Sequence, residues 1–116
     1  MSVKGMKLDV RFFHTDAGAE PVRDWLKELP AQERRTIGED IKTVQLGWPL
    51  GMPLVRKMAT GLWEVRINMD GRIARVLFTV VGQEMVLLHG FIKKSQATPK
   101  NDLDTAITRL KAVRSK

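Results

Sequence analysis

With 116 residues, 43% of them hydrophobic and 28% charged, the chain is long enough for one hydrophobic core and too short for two. It has no cysteine for a disulfide framework, thiolate metal site or thiol nucleophile, and no apolar stretch nears membrane-span length. The net charge of +7 is unevenly spread: residues 1–46 carry eight Lys/Arg against eight Asp/Glu, residues 47–98 seven against three, and residues 99–116 five against two.

The opening MSVKGMKLDV lacks the apolar core of a secretory signal, which predicts a cytoplasmic protein. LDVRFF (8–13) has the alternation and residue types of a strand. After the turn-rich HTDAGAE, Pro21 suits a helix's first turn, and Val22, Trp25, Leu26 and Leu29 recur at helical spacing. Pro30 closes that helix and opens a second, with Ile37, Ile41 and Val44 on one face and an end near Gly47, so the two form a hairpin. GWPLGMP (47–53) is a connector that cannot continue a helix.

Three strands follow, LWEVRIN (62–68), RIARVLFTV (72–80) and EMVLLHGFIK (84–93), with a weaker one at LVRKM (54–58). Their separators MDG and VGQ are hairpin-sized, and each holds a glycine able to take positive φ, so consecutive strands are antiparallel. The last strand ends in Lys93 and Lys94 and a polar turn. Pro99 then opens a helix with Leu103, Ala106, Ile107, Leu110 and Val113 on one face, capped by Thr98. The expected fold is a single α+β domain over 1–116: an N-terminal strand, an α-hairpin, an antiparallel β-meander and a C-terminal helix. All helices are expected on one sheet face, and the basic strand residues on the uncovered face.

Basic residues concentrate on those strands. A polyanion such as nucleic acid, an acidic protein partner, or simple solubility would each account for them. Arg66 and Arg75 lie on neighbouring strands joined by a tight turn, so their guanidinium groups are expected to approach across the sheet. Like charges opposite each other destabilise a sheet, which calls for an anion between them or a neutralising Glu64.

GLWEVR (61–66), GRIARVLF (71–78) and VLLHGFIKKSQATP (86–99), with the PVRDWL helix start and the LVRKMATGLWEVR approach to the sheet, resemble the HigB-like branch of the RelE/ParE toxin superfamily. The resemblance spans nearly the whole chain and rests on the order and spacing of these blocks. It implies a RelE/ParE-like fold and the toxin of a type II toxin–antitoxin system. The implied activity is metal-independent, ribosome-dependent mRNA endoribonuclease, with a helix-turn-helix DNA-binding antitoxin as partner and mRNA and the ribosome as targets. ParE-like relatives share the fold yet inhibit DNA gyrase, so gyrase inhibition stays open, as does a basic nucleic-acid-binding module without catalysis.

Metal-free RNA cleavage by 2′-hydroxyl attack needs a base, cations for the extra phosphorane charge and an acid for the departing 5′ oxygen. Arg66 and Arg75 can chelate phosphate bidentately. Lys57, Lys93 and Lys94 supply point charges, and a lysine among cations can have a depressed pKa and act as base or acid. Histidine is a residue type that can give or take a proton, so His89 can do either job, although its apolar run equally suits a buried structural histidine. Alternation sends only one of Lys93 and Lys94 to a given face, and spacing from His89 and Phe91 favours Lys93.

Arg66, Arg75, His89 and Lys93 are therefore the catalytic candidates, and Arg56, Lys57, Arg72, Phe91 and Lys94 the RNA-binding ones. Phe91 can stack on a base, Arg72 past the MDG turn is solvated or RNA-facing, and His14 has no assigned role. Trp25, Trp48 and Trp63 read as core or connector anchors, with Trp48 nearest solvent. Some RelE-like nucleases use a C-terminal tyrosine in acid–base chemistry, and this chain has none. The basic stretch has only Glu64, Asp70 and Glu84 as carboxylates, with no cluster to hold a hard cation, so neither metal nor cofactor is expected.

Overall fold

The computed structural model describes residues 8–94 and 98–115. The chain runs β1 (Asp9–Phe12), α1 (Pro21–Lys27), α2 (Ala31–Gly47), β2 (Val55–Ala59), β3 (Leu62–Asn68), β4 (Ile73–Val81), β5 (Glu84–Lys93) and α3 (Lys100–Arg114). The five strands form one sheet in the order β1-β5-β4-β3-β2. This is the expected α+β architecture, and LVRKM does belong to a strand. The tight turns work as read: Gly71 and Gly82 have φ of 84° and 59°, values that glycine adopts without a Cβ penalty. The polar turn expected after Lys94 lies at 95–97, outside the described residues.

β2 to β5 pair antiparallel, while β1 pairs parallel with β5, Asp9 opposite Glu84 through Phe12 opposite Leu87. A parallel partner requires a crossover rather than a hairpin, and α1 and α2 supply part of that long return.

Alternation along the strands builds two cores. One face of the sheet buries Val65, Ile67, Ala74, Val76, Phe78, Met85 and Leu87 against Val22 and Leu29 around α1 and Ile37, Ile41 and Val44 of α2. The other buries Leu62, Leu77, Val86 and Leu88 against Ala106 and Leu110 of α3. The expectation of all helices on one face is thus corrected. Val86 and Leu88 point away from Met85 and Leu87, so β5 needs a second apolar layer, and α3 provides it.

Two smaller expectations also change. Trp48 is half-buried, set edge-on to Trp63 (4.9 Å between ring centroids) and Phe78 (5.6 Å), because the connector folds back over the α2 side of the sheet. Thr98 does not cap α3: Pro99 holds the N-cap position without a side-chain cap, and the Thr98 hydroxyl donates to Glu64 on β3. Among the described residues no helix is long and apolar enough to cross a membrane.

Candidate active site

The sheet face shared with α3 carries the basic cluster, and register fixes its layout. Arg56, Glu64, Leu77 and His89 lie in one row across β2 to β5. Arg66, Arg75 and Phe91 form the next row, and Asn68, Ile73 and Lys93 the one after. Cross-strand partners share a face, so these rows bring Arg56, Arg66, Arg75 and Lys93 to one side of the sheet around the Glu64 carboxylate.

The two arginines that face each other differ in exposure. Arg75 is 3% exposed, whereas Arg66 is half-buried and reaches the Met52 sulfur at 3.6 Å. The Arg75 Nη1 donates to the Ala74 carbonyl at 3.0 Å. Its Nε lies 3.5 Å from Glu64 Oε1 and, among the described residues, makes no hydrogen bond. Glu64 is itself 1% exposed, and its other oxygen accepts from Thr98 at 2.7 Å.

Burial pulls Arg75 below the usual arginine range, opposed by Glu64 and reinforced by Arg66 and Arg56. Arginine stays protonated regardless, so a buried positive charge persists. Lys93 is also depressed, first by desolvation and then by Arg75, with Glu64 opposing and Arg66 and Arg56 adding to the effect. Both causes disfavour the ammonium form, which shifts the amine toward the neutral, proton-accepting state.

His89 has both ring nitrogens engaged inside the chain. Nε2 lies 2.6 Å from Asp102 Oδ1, and Nδ1 lies 3.3 Å from Arg109 Nη1. Arginine can only donate, so Nδ1 accepts and the Nε2 proton goes to Asp102. Arg109 also donates to the Leu88 carbonyl at 2.8 Å. The imidazole therefore clasps α3 to β5, which is the structural alternative weighed for it, and presents no unengaged nitrogen to a substrate in this conformation. Phe91 is 8% exposed and stacks on His89 (5.7 Å, 24°), so its ring is core rather than a platform open to a base.

The remaining candidates stand apart. Lys57 is in register with Trp63, which packs in the α1/α2-side core, so alternation sends it to the opposite face from Arg56. Arg72 is clamped to Glu33 of α2 by two bonds of 2.9 and 2.7 Å. Lys94 is exposed beyond the last residue of β5. Sequence reading missed Thr98, Asp102 and Arg109 as members of this face. A usable signal existed for two of them: Asp102 and Arg109 are seven residues apart, two helical turns, and so share one side of α3.

The sequence profile of the family described as Phage derived protein Gp49-like (DUF891) matches residues 24–111. The matched stretch contains every residue of the basic cluster together with its α3 supports. No curated protein matches the chain.

Proposed function

The chain belongs to the Gp49-like family of phage-derived proteins, a toxin-like family of RelE type, and from that premise we propose that it is a HigB-like toxin that cuts mRNA on the ribosome without a metal ion. The observation that carries this reading is the grouping of Arg56, Arg66, Arg75 and Lys93 on one sheet face around the Glu64 carboxylate, already engaged by Thr98. Such a surface attracts a phosphodiester and supplies the charge its pentacoordinate transition state needs.

In the reaction, the ribose 2′ oxygen bonds to the adjacent phosphorus as its proton passes to the Lys93 amine. The P–O5′ bond then breaks, leaving a 2′,3′-cyclic phosphate on one fragment. The departing 5′ oxygen takes a proton from solvent, since the chain has no tyrosine and the His89 nitrogens are engaged. Arg66 and Arg56, the more open arginines, hold the phosphate oxygens. A cognate antitoxin, a small helix-turn-helix DNA-binding protein, keeps the activity in check in the cytoplasm.

Expression of the chain with transcript-end mapping tests the reading. Growth arrest with new mRNA ends is expected, relieved by Arg66→Ala and by Lys93→Met in folded protein. Intact transcripts with DNA-damage signalling would replace the nuclease with a gyrase inhibitor. Full toxicity in both variants would remove the site.

A further inference from the structure

The two arginines that meet across β3 and β4 are read at the sequence level as equivalent phosphate ligands. Their surroundings are not equivalent. Arg66 is half-buried beside the exposed Met52, whereas Arg75 is 3% exposed with one nitrogen on a backbone carbonyl and another beside the buried Glu64 carboxylate. A phosphate group cannot reach a side chain closed off to that degree without first displacing its neighbours. Arg75 is nonetheless directly opposite Arg66 and one diagonal step from Lys93, since Arg75 pairs with Phe91 and Lys93 lies two residues further along β5 on the same face. Diagonal neighbours in a sheet are about 7–8 Å apart, within reach of long side chains.

We propose that Arg75 is a positioning residue for RNA cleavage: a buried cation that acts through Lys93 and Arg66 without touching the scissile phosphate. The inference rests on the nuclease reading above. Glu64 completes the device by partly balancing Arg75, and Thr98 fixes the carboxylate from the start of α3. Among the charged groups acting on Lys93 are Arg75 from β4, Glu64 and Arg66 from β3 and Arg56 from β2. From α3, Asp102 and Arg109 are both engaged with His89. Removing the positive charge of Arg75 favours the ammonium form of Lys93, and removing the negative charge of Glu64 disfavours it. The two substitutions therefore act on the same amine in opposite directions.

The test is a direct titration of the Lys93 amine by NMR in the purified chain, alongside the pH–rate profile of cleavage on translating ribosomes. Arg75→Met is expected to move the Lys93 midpoint and the rising limb of the profile to higher pH, and Glu64→Gln to move both to lower pH. A merely structural role would move neither. Arg75→Met should leave KM within about twofold, while Arg66→Ala raises it about tenfold or more, as loss of a charged hydrogen bond does.

Should either single variant fail to fold, the double variant Glu64→Gln/Arg75→Met removes both buried charges at once, and Arg75→Lys restores the cation. Because the two charges act on Lys93 in opposite directions, the double variant should titrate nearer to wild type than whichever single variant folds, and Arg75→Lys should keep the profile close to wild type. An unmoved Lys93 midpoint in folded Arg75→Met, or a KM effect matching that of Arg66→Ala, overturns the proposal. A shifted Lys93 midpoint in a wild-type chain that cuts no RNA would instead overturn the nuclease reading and leave the electrostatic coupling standing.

Discussion

Glu64 is 1% exposed, and its two oxygens serve different elements, Arg75 on β4 and Thr98 at the entry to α3. A buried ion pair gains little net stability over an apolar pair, yet breaking it from one side strands a charge. Arg75→Met and Glu64→Gln are each expected to lower stability by about 3–5 kcal/mol in urea melts, and the double variant by less than their sum. Additive losses would show that the two side chains act independently. Sequence alternation suffices to place Arg66 and Arg75 on one face, because register in a tight hairpin leaves little choice. Their unequal exposure is invisible there, because it depends on which residues from other strands and from α3 close over each guanidinium.

At the scale of elements, α1 docks through a feature of the strand beneath it. Gly90 lets the Trp25 ring of α1 lie directly on β5, and a Cβ at that position would collide with ring atoms Cε3 and Cζ3. Gly90→Ala should cost about 1–3 kcal/mol by overpacking, read as a lowered melting temperature with the sheet intact by circular dichroism. An unchanged melting temperature would mean that α1 is not seated this way.

α2 is tied to the β3–β4 turn by the Arg72–Glu33 clamp, an ion pair of ordinary surface type. The hydrogen bond from Arg72 holds the Glu33 carboxyl below its usual 4.5. A depressed carboxyl stabilises the fold above its unfolded pKa, and that contribution is lost as pH falls through the folded value. The melting-temperature gap between wild type and Arg72→Ala should thus be present at pH 7 and close as pH drops below 4.5. A gap that persists in strong acid would assign Arg72 a packing role. Arg72 was a candidate RNA contact by its charge and turn position; the clamp to an element 39 residues away in sequence is a tertiary fact.

For the whole molecule, the +7 charge is delivered as a patterned face. Arg56, Arg66 and Lys93 line the rows that continue past the α3-covered core, while Lys57 sits on the opposite face and Lys94 is exposed beyond β5. If Arg56 contacts one RNA phosphate, Arg56→Ala should reduce the slope of log affinity against log salt by about 0.7, the value for a single-strand phosphate contact. Lys57→Ala should leave that slope unchanged in the same binding series. Equal changes for the two would mean that the molecule binds RNA through diffuse charge rather than through this face.

The sequence by itself determined the order of elements, the hairpin turns and the strand faces. Periodicity of 2 and 3.6 and the glycine and proline positions are local properties that need no knowledge of distant contacts. It also determined that Arg56, Glu64, Arg66, Arg75 and Lys93 fall within the sheet-forming stretch, because charge is carried by residue type. Only the tertiary structure decided that α3 covers the second sheet face, that Thr98 holds Glu64 instead of capping a helix, and that His89 is occupied by Asp102 and Arg109. Those outcomes depend on which side chains from separate elements reach the same buried volume, where an unpartnered polar group is costly and each donor must find an acceptor.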